Sequence, residues 1–113
     1  MDTNEEYSRI IKKLLKERER IASPFLQEGT ELTCVFDDAT RYYALLTLGW
    51  LKSGRVNTTT LLLRIKDNKV WVEQDYTNWA IADELMESGI PREQIVLGFQ
   101  RPESRPHTDY AVS

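Results

Sequence analysis

One cysteine, one histidine and no glycine-rich loop leave this 113-residue sequence short of the groups on which most chemistry depends. A lone Cys34 cannot close an internal disulfide, so no covalent staple is expected and a reducing cytoplasm suits the chain. His107, set between Pro106 and Thr108, belongs to no Ser-His-Asp or Cys-His order, and no Cys/His spacing suggests a metal site. Gly98 is isolated, and no phosphate-cradling loop follows a strand. The longest apolar stretch, 42–51, contains Thr47 and Gly49 and is about half the ~20 residues a membrane helix needs. The opening Met1-Asp2-Thr3-Asn4-Glu5-Glu6 is acidic with no apolar run behind it, unlike a secretory signal. These shortages predict no catalytic residues, no cofactor, no metal and no membrane.

What is present suits one globular domain over 1–113. Hydrophobic residues make up 41% and charged residues 29%, close to the globular average. Three Trp, five Tyr and three Phe are too many to leave unburied, which excludes disorder. The net charge of −3 is unevenly spread. Arg9, Lys12, Lys13, Lys16, Arg18 and Arg20 crowd the first segment against only Glu17 and Glu19, while Glu73, Asp75, Asp83, Glu84, Glu87 and Glu93 dominate 73–94. Lys12, Lys13, Lys16 and Arg20 are therefore candidates for a weak DNA contact. The plainer reading is a solvated helix face with bases toward its end, which suits the helix dipole. A few basic turns fall short of what stable duplex binding usually requires.

Periodicity organises the chain as α+β. Tyr7, Ile10, Ile11, Leu14, Leu15 and Ile21 recur at helical spacing over 4–21, with Thr3 and Glu6 at capping-box distance and Ser23-Pro24 as a stop. Four strands follow, at 32–36, 42–51, 56–66 and 70–74, joined by turns short enough to force antiparallel pairing. A second helix is expected over 78–88, with Thr77 as its cap, Ala80, Ile81 and Leu85 facing inward and Gly89 closing it. Pro91 to Gln94 suggests a helical turn, 95–99 a short C-terminal strand, and the tail beyond Arg101 irregular chain. The expected architecture is an N-terminal helix, a four-stranded antiparallel β-meander, a second helix and a short C-terminal strand, with both helices on one sheet face.

Turn chemistry sets an expected register. Asp67-Asn68 as a tight turn pairs Lys66 with Lys69, Ile65 with Val70, Arg64 with Trp71 and Leu63 with Val72. Ser53-Gly54 turning likewise pairs Leu51 with Val56, Leu48 with Thr59 and Leu46 with Leu61. One face then carries Tyr42, Ala44, Leu46, Leu48, Trp50, Leu61, Leu63, Ile65, Val70 and Val72, a core for two helices. The other gathers Tyr43, Leu45, Leu62, Arg64 and Trp71, a candidate interaction face, with Arg64 stacked on the Trp71 indole. Either this face serves association or the segment from Phe99 to Val112 folds back over it.

Paired carboxylates offer little more. Turn chemistry accounts for Asp37-Asp38, and Glu84 with Glu87 reads as a wet helix face. Cys34 alternates with Leu32 and Phe36 and is expected as a core thiol, and Trp79 as core rather than a base-stacking platform.

The order of several segments carries a resemblance. Tyr7-x-x-Ile10-Ile11-x-x-Leu14-Leu15, Leu48-Gly49-Trp50, Ile65-Lys66-Asp67-x-Lys69-Val70-Trp71-Val72, Ile81-Ala82-x-Glu84-Leu85, Gly89-Ile90-Pro91, Ile95-Val96-Leu97-Gly98-Phe99 and Pro102-x-x-Arg105-x-x-Thr108-x-x-Ala111-Val112 span nearly the whole chain. Together they resemble the XisI-like family, named for a controlling factor in excision of the cyanobacterial fdxN element. Asp67-Asn68 stands where the family often has Asp-Gly, and Tyr76-Thr77-Asn78-Trp79 is more aromatic than the family's approach to the second helix. The resemblance implies a non-enzymatic accessory factor that binds an XisH-like protein of endonuclease-type fold, in the manner of an antitoxin, while a separate recombinase cuts and joins DNA. The candidate face could equally associate with itself, giving a homodimer. A DNA-binding accessory role for the basic first helix, and a small-ligand module or an enzyme with an atypical site, stand as alternatives.

Overall fold

A computed structural model describes residues 2–113. Helix α1, Thr3–Ala22, buries Tyr7, Ile11 and Leu15, one per turn, with Ile10 and Leu14 packed alongside. That stripe of four-residue spacing is what the sequence period requires. The cap is Asp2 rather than Thr3: its carboxylate accepts the Asn4 N–H at 2.9 Å. Glu5 and Glu6 in the first turn and Arg20 in the last then match the helix dipole.

Five strands form one sheet in chain order: β1 Thr30–Asp37, β2 Tyr42–Leu51, β3 Gly54–Lys66, β4 Lys69–Asp75 and β5 Ile95–Leu97. The first four are the expected antiparallel meander, and β5 joins parallel to β4 after helix α2, Ile81–Glu87. The helix begins three residues later than its polarity suggests, and Thr77 is not its cap. Asp75 organises the approach instead, accepting the Thr77 N–H at 2.8 Å and the Ile81 N–H at 3.4 Å. Ala80 sits in a left-handed conformation with φ 52° and is exposed, so Ala82 takes the buried place expected of it.

The β3–β4 turn has the expected register, with Asp67 and Asn68 at φ 55° and 62°, the positive pair a two-residue hairpin of this twist demands. The β2–β3 register differs from expectation. Lys52 and Ser53 form the turn, so Leu51 pairs with Gly54, and an irregularity between Leu45 and Leu46 leaves Thr60 as an extra residue. That bulge turns Leu61 to the opposite side from Thr59. Leu61 therefore pairs with Leu45, and Leu63 with Tyr43. Tyr43 and Leu45 are fully buried beneath the helices, whereas Tyr42, Ala44, Leu46, Leu48 and Trp50 lie on the other side. The core joins Leu32, Tyr43, Leu45, Leu61, Leu63, Ile65, Val70 and Val72 to the buried residues of α1, α2 and β5.

Candidate functional site: the outer face of the sheet

The outer face divides in two. At the β4–β5 end, Trp71 is only 9% exposed, because the chain after β5 folds back over it. Arg105 lies 5.3 Å from the indole centre, joined by Arg64 at 5.6 Å and Lys66 at 5.2 Å. The Arg105 guanidinium donates to the carbonyls of Gln100 at 3.1 Å, Gly98 at 3.3 Å and Val112 at 3.5 Å, which fixes the tail from within. Ala111 donates its N–H to Ile95 at 2.8 Å and bridges Val96, while the Tyr110 hydroxyl reaches Asp83 on α2. The Tyr110 phenol is pushed up to about 12, first by burial and then by that carboxylate.

Beyond Arg64 the face is bare. Val35, Ala44 and Leu62 lie side by side across β1, β2 and β3, flanked by Tyr42, Leu46, Leu48 and Trp50. Trp50 is 64% exposed and stacks on Arg55, 5.6 Å away. Arg64 marks the boundary: it pairs with Glu73 at 2.8 Å and donates to the Tyr42 hydroxyl at 3.2 Å. Of the five residues expected to make the candidate face, the structure brings Leu62, Arg64 and Trp71 together and removes Tyr43 and Leu45 to the core.

The four basic candidates of α1 are divided among neighbours. Lys12 is paired with Asp38 at 2.9 Å and Arg20 with Glu17 at 2.5 Å. Lys13 lines a shallow apolar cleft with Ile10, Leu14, Glu17 and Ser88. Lys16 is near enough to Cys34 to act on its thiol. That thiol is pushed up to about 11, first by burial and then by Glu19, which leaves it protonated and unreactive.

The densest polar cluster lies where the β1–β2 turn meets α1. Ser8 Oγ and Tyr43 Oη each donate to Asp38 Oδ1 at 2.9 Å, and the two hydroxyls stand 2.7 Å apart. With Lys12, they hold the Asp38 carboxyl down at about 2. Both hydroxyls donate to the Asp38 carboxylate, so the cluster ties the β1–β2 turn to α1 and β2. Among the described residues no group of three or more His, Cys, Asp or Glu is placed to hold a metal, and no helix is long and apolar enough to cross a membrane. His107 ends an exposed 3₁₀ turn, Pro102–His107.

The sequence reading missed both the Ser8–Asp38–Tyr43 cluster and the Arg105 strap. Contact between residues 30 positions apart leaves no local pattern, whereas Arg105 had stood out within the tail motif.

Two helices on one face of a five-stranded, mostly antiparallel sheet, with part of the other face uncovered, define an α+β fold. The comparisons supply the family. A family model described as XisI protein matches residues 1–112, and the chain belongs to that family. A XisI-like protein from Anabaena variabilis is 33% identical, with a TM-score of 0.89 over 97% of this chain and 99% of that one. The fdxN element excision controlling factor XisI of the same organism is 32% identical, with a TM-score of 0.86 over 99% of this chain and 100% of that one. No curated protein sequence matches the chain.

Proposed function

We propose that this chain is a non-enzymatic controlling factor for excision of a DNA element, acting by binding an XisH-like protein of endonuclease-type fold. The bare half of the outer sheet face carries the reading. A row of Val35, Ala44 and Leu62, bordered by the exposed rings of Tyr42 and Trp50, is more apolar than a solvated sheet face requires. Aromatic residues beside Arg55 and Arg64 are also the types that concentrate binding energy at interfaces. The similarity to an excision controlling factor supports the process, and the anchoring role of the Ser8–Asp38–Tyr43 cluster supports regulation without chemistry.

Co-expression with an XisH-like neighbour from the native host tests this. Tagged wild-type chain should retain that protein, while Leu62→Asp should lose at least ~10-fold of the capture, a charge in a desolvated contact costing more than 1.4 kcal/mol. Circular dichroism should be unchanged. Equal capture by Leu62→Asp would remove the outer face from the mechanism. Salt-sensitive duplex binding abolished by Lys13→Glu and Lys16→Glu would move the function to α1 instead.

A further inference from the structure

The sheet has a step in its edge. β3 runs from Gly54 to Lys66, but β4 pairs with it only from Leu61 onward. Residues 54–60 have β2 on one side and, among the described residues, no strand on the other. The inner end of the step is bounded by Tyr76, whose N–H reaches the Thr60 carbonyl at 2.9 Å, and by the Gln74 amide, which donates to the Thr59 carbonyl. Main-chain direction follows from alternation. Trp50 gives its N–H to Gly29 at 2.9 Å on the β1 side, so Gly49 and Leu51 turn toward Val56 and Gly54 in β3. Arg55, Asn57 and Thr59 are left pointing their N–H and C=O groups into the open step, and the Gln74 contact at Thr59 agrees with that direction.

Each of the sheet's other two edges has an outward group already engaged. On β1 the outward Cys34 N–H is taken by Glu19 Oε1 at 3.2 Å. On β5 the tail supplies Ala111. An unguarded strand edge is a template for another strand, and the sequence at the step favours its own copy. Antiparallel pairing about Asn57 sets Arg55 opposite Thr59 and Val56 opposite Thr58, with no like charges facing and β-branched residues filling the pairs. In that register Gly54 of the second copy would fall opposite Thr60, whose carbonyl Tyr76 already holds, so the free edge runs from Arg55 to Thr59.

We propose that residues 55–59 of β3 pair antiparallel with the same segment of a second copy, about a two-fold axis at Asn57, making one continuous sheet. Asn57 exchanges two main-chain hydrogen bonds with its counterpart, and Arg55 does the same with Thr59 of the second copy. The Gln74 amide holds the Thr59 carbonyl in the monomer. The pairing uses the edge and leaves the bare outer face of both copies free, so it goes beyond the partner binding above and its failure would leave that reading intact.

Sedimentation velocity over a concentration series tests the pairing. Wild-type chain should move from 13.2 kDa toward twice that mass. Asn57→Pro, which deletes an outward N–H and no internal one, should stay monomeric with an unchanged circular dichroism spectrum. Asn57→Lys, which sets two ammonium groups face to face, should weaken the dimer at least ~10-fold and recover it in salt. The double variant Cys34→Ser, Asn57→Cys should cross-link on oxidation, since paired Cα atoms ~5.5 Å apart fall within disulfide reach. Monomeric wild-type chain up to ~1 mM would overturn the proposal. So would a dimer that Asn57→Pro leaves intact or a double variant that does not cross-link. Should Asn57→Pro fail to fold, the lysine variant and the cross-link decide.

Discussion

Asp38 sits in an exposed turn yet holds the sheet to the first helix. Its carboxylate receives the hydroxyls of Ser8, on α1, and Tyr43, on β2, and the Lys12 ammonium. Those donors favour the charged form, led by Lys12, and bring the group from 3.8 to about 2. A depressed carboxyl contributes stability above its unfolded value that is lost as pH falls through its folded value. The melting temperature of wild-type chain should therefore fall between about pH 4 and pH 2 from this group, and Asp38→Asn should lack that component. The two proteins should differ at neutral pH and converge near pH 2; a gap that persists at pH 2 would assign the cluster to packing alone. Tyr43→Phe tests the buried end of the network. Removing a hydroxyl that donates to a carboxylate should cost ~1–3 kcal/mol in urea denaturation.

The elements themselves were legible where local chemistry decides and obscure where one residue changes a parity. Asp67-Asn68 fixed β3 against β4, because only residues tolerant of positive φ make that turn. The alternation of β2 was equally clear, but which half of it faces the helices depended on Thr60, whose bulge has no sequence signature. The one-residue misplacement of the β2–β3 turn shifts the register by two and would have kept the faces; the single extra residue exchanged them. The start of α2 was hidden for another reason, since the Asp75 carboxylate reaches six residues ahead to the Ile81 N–H. Leu63 belongs to the legible part and is fully buried in the structure. Leu63→Ala should cost ~2–5 kcal/mol by loss of transfer energy and a residual cavity, read from the denaturation midpoint. The tail strap gives an element-level expectation of its own. Arg105→Ala removes three donors to carbonyls and one ring contact. Amide exchange over 98–112 should accelerate ~10-fold or more while α1 is unaffected, because only local opening becomes easier.

Across the whole molecule, helices cover one side of the sheet and a short tail covers the β4–β5 end of the other, a division that separates two tryptophans on the same face. Trp71 is packed under Arg105, with Lys66 and Arg64 beside it, while Trp50 stands in solvent at the far end. The sequence places Trp50 on the helix-covered face and Trp71 on the other, whereas the Thr60 bulge puts both on the outer face and the segment that covers Trp71 is distant in the chain. The structure predicts opposite behaviour. Trp71→Ala empties a covered site and should cost ~3–5 kcal/mol, with the tail loosened. Trp50→Ala removes an exposed ring and its Arg55 stack and should change stability by no more than ~0.5 kcal/mol. If the bare part of the face binds an XisH-like protein, Trp50→Ala should nonetheless weaken capture, as loss of an aromatic interface anchor does at ~1–2 kcal/mol or more. Urea denaturation and pull-down on the same preparations separate stability from binding. A Trp50→Ala chain that is fully stable and captures its partner as wild type does would show that the exposed ring belongs to no interface. The binding surface would then lie away from the hairpin end of the sheet.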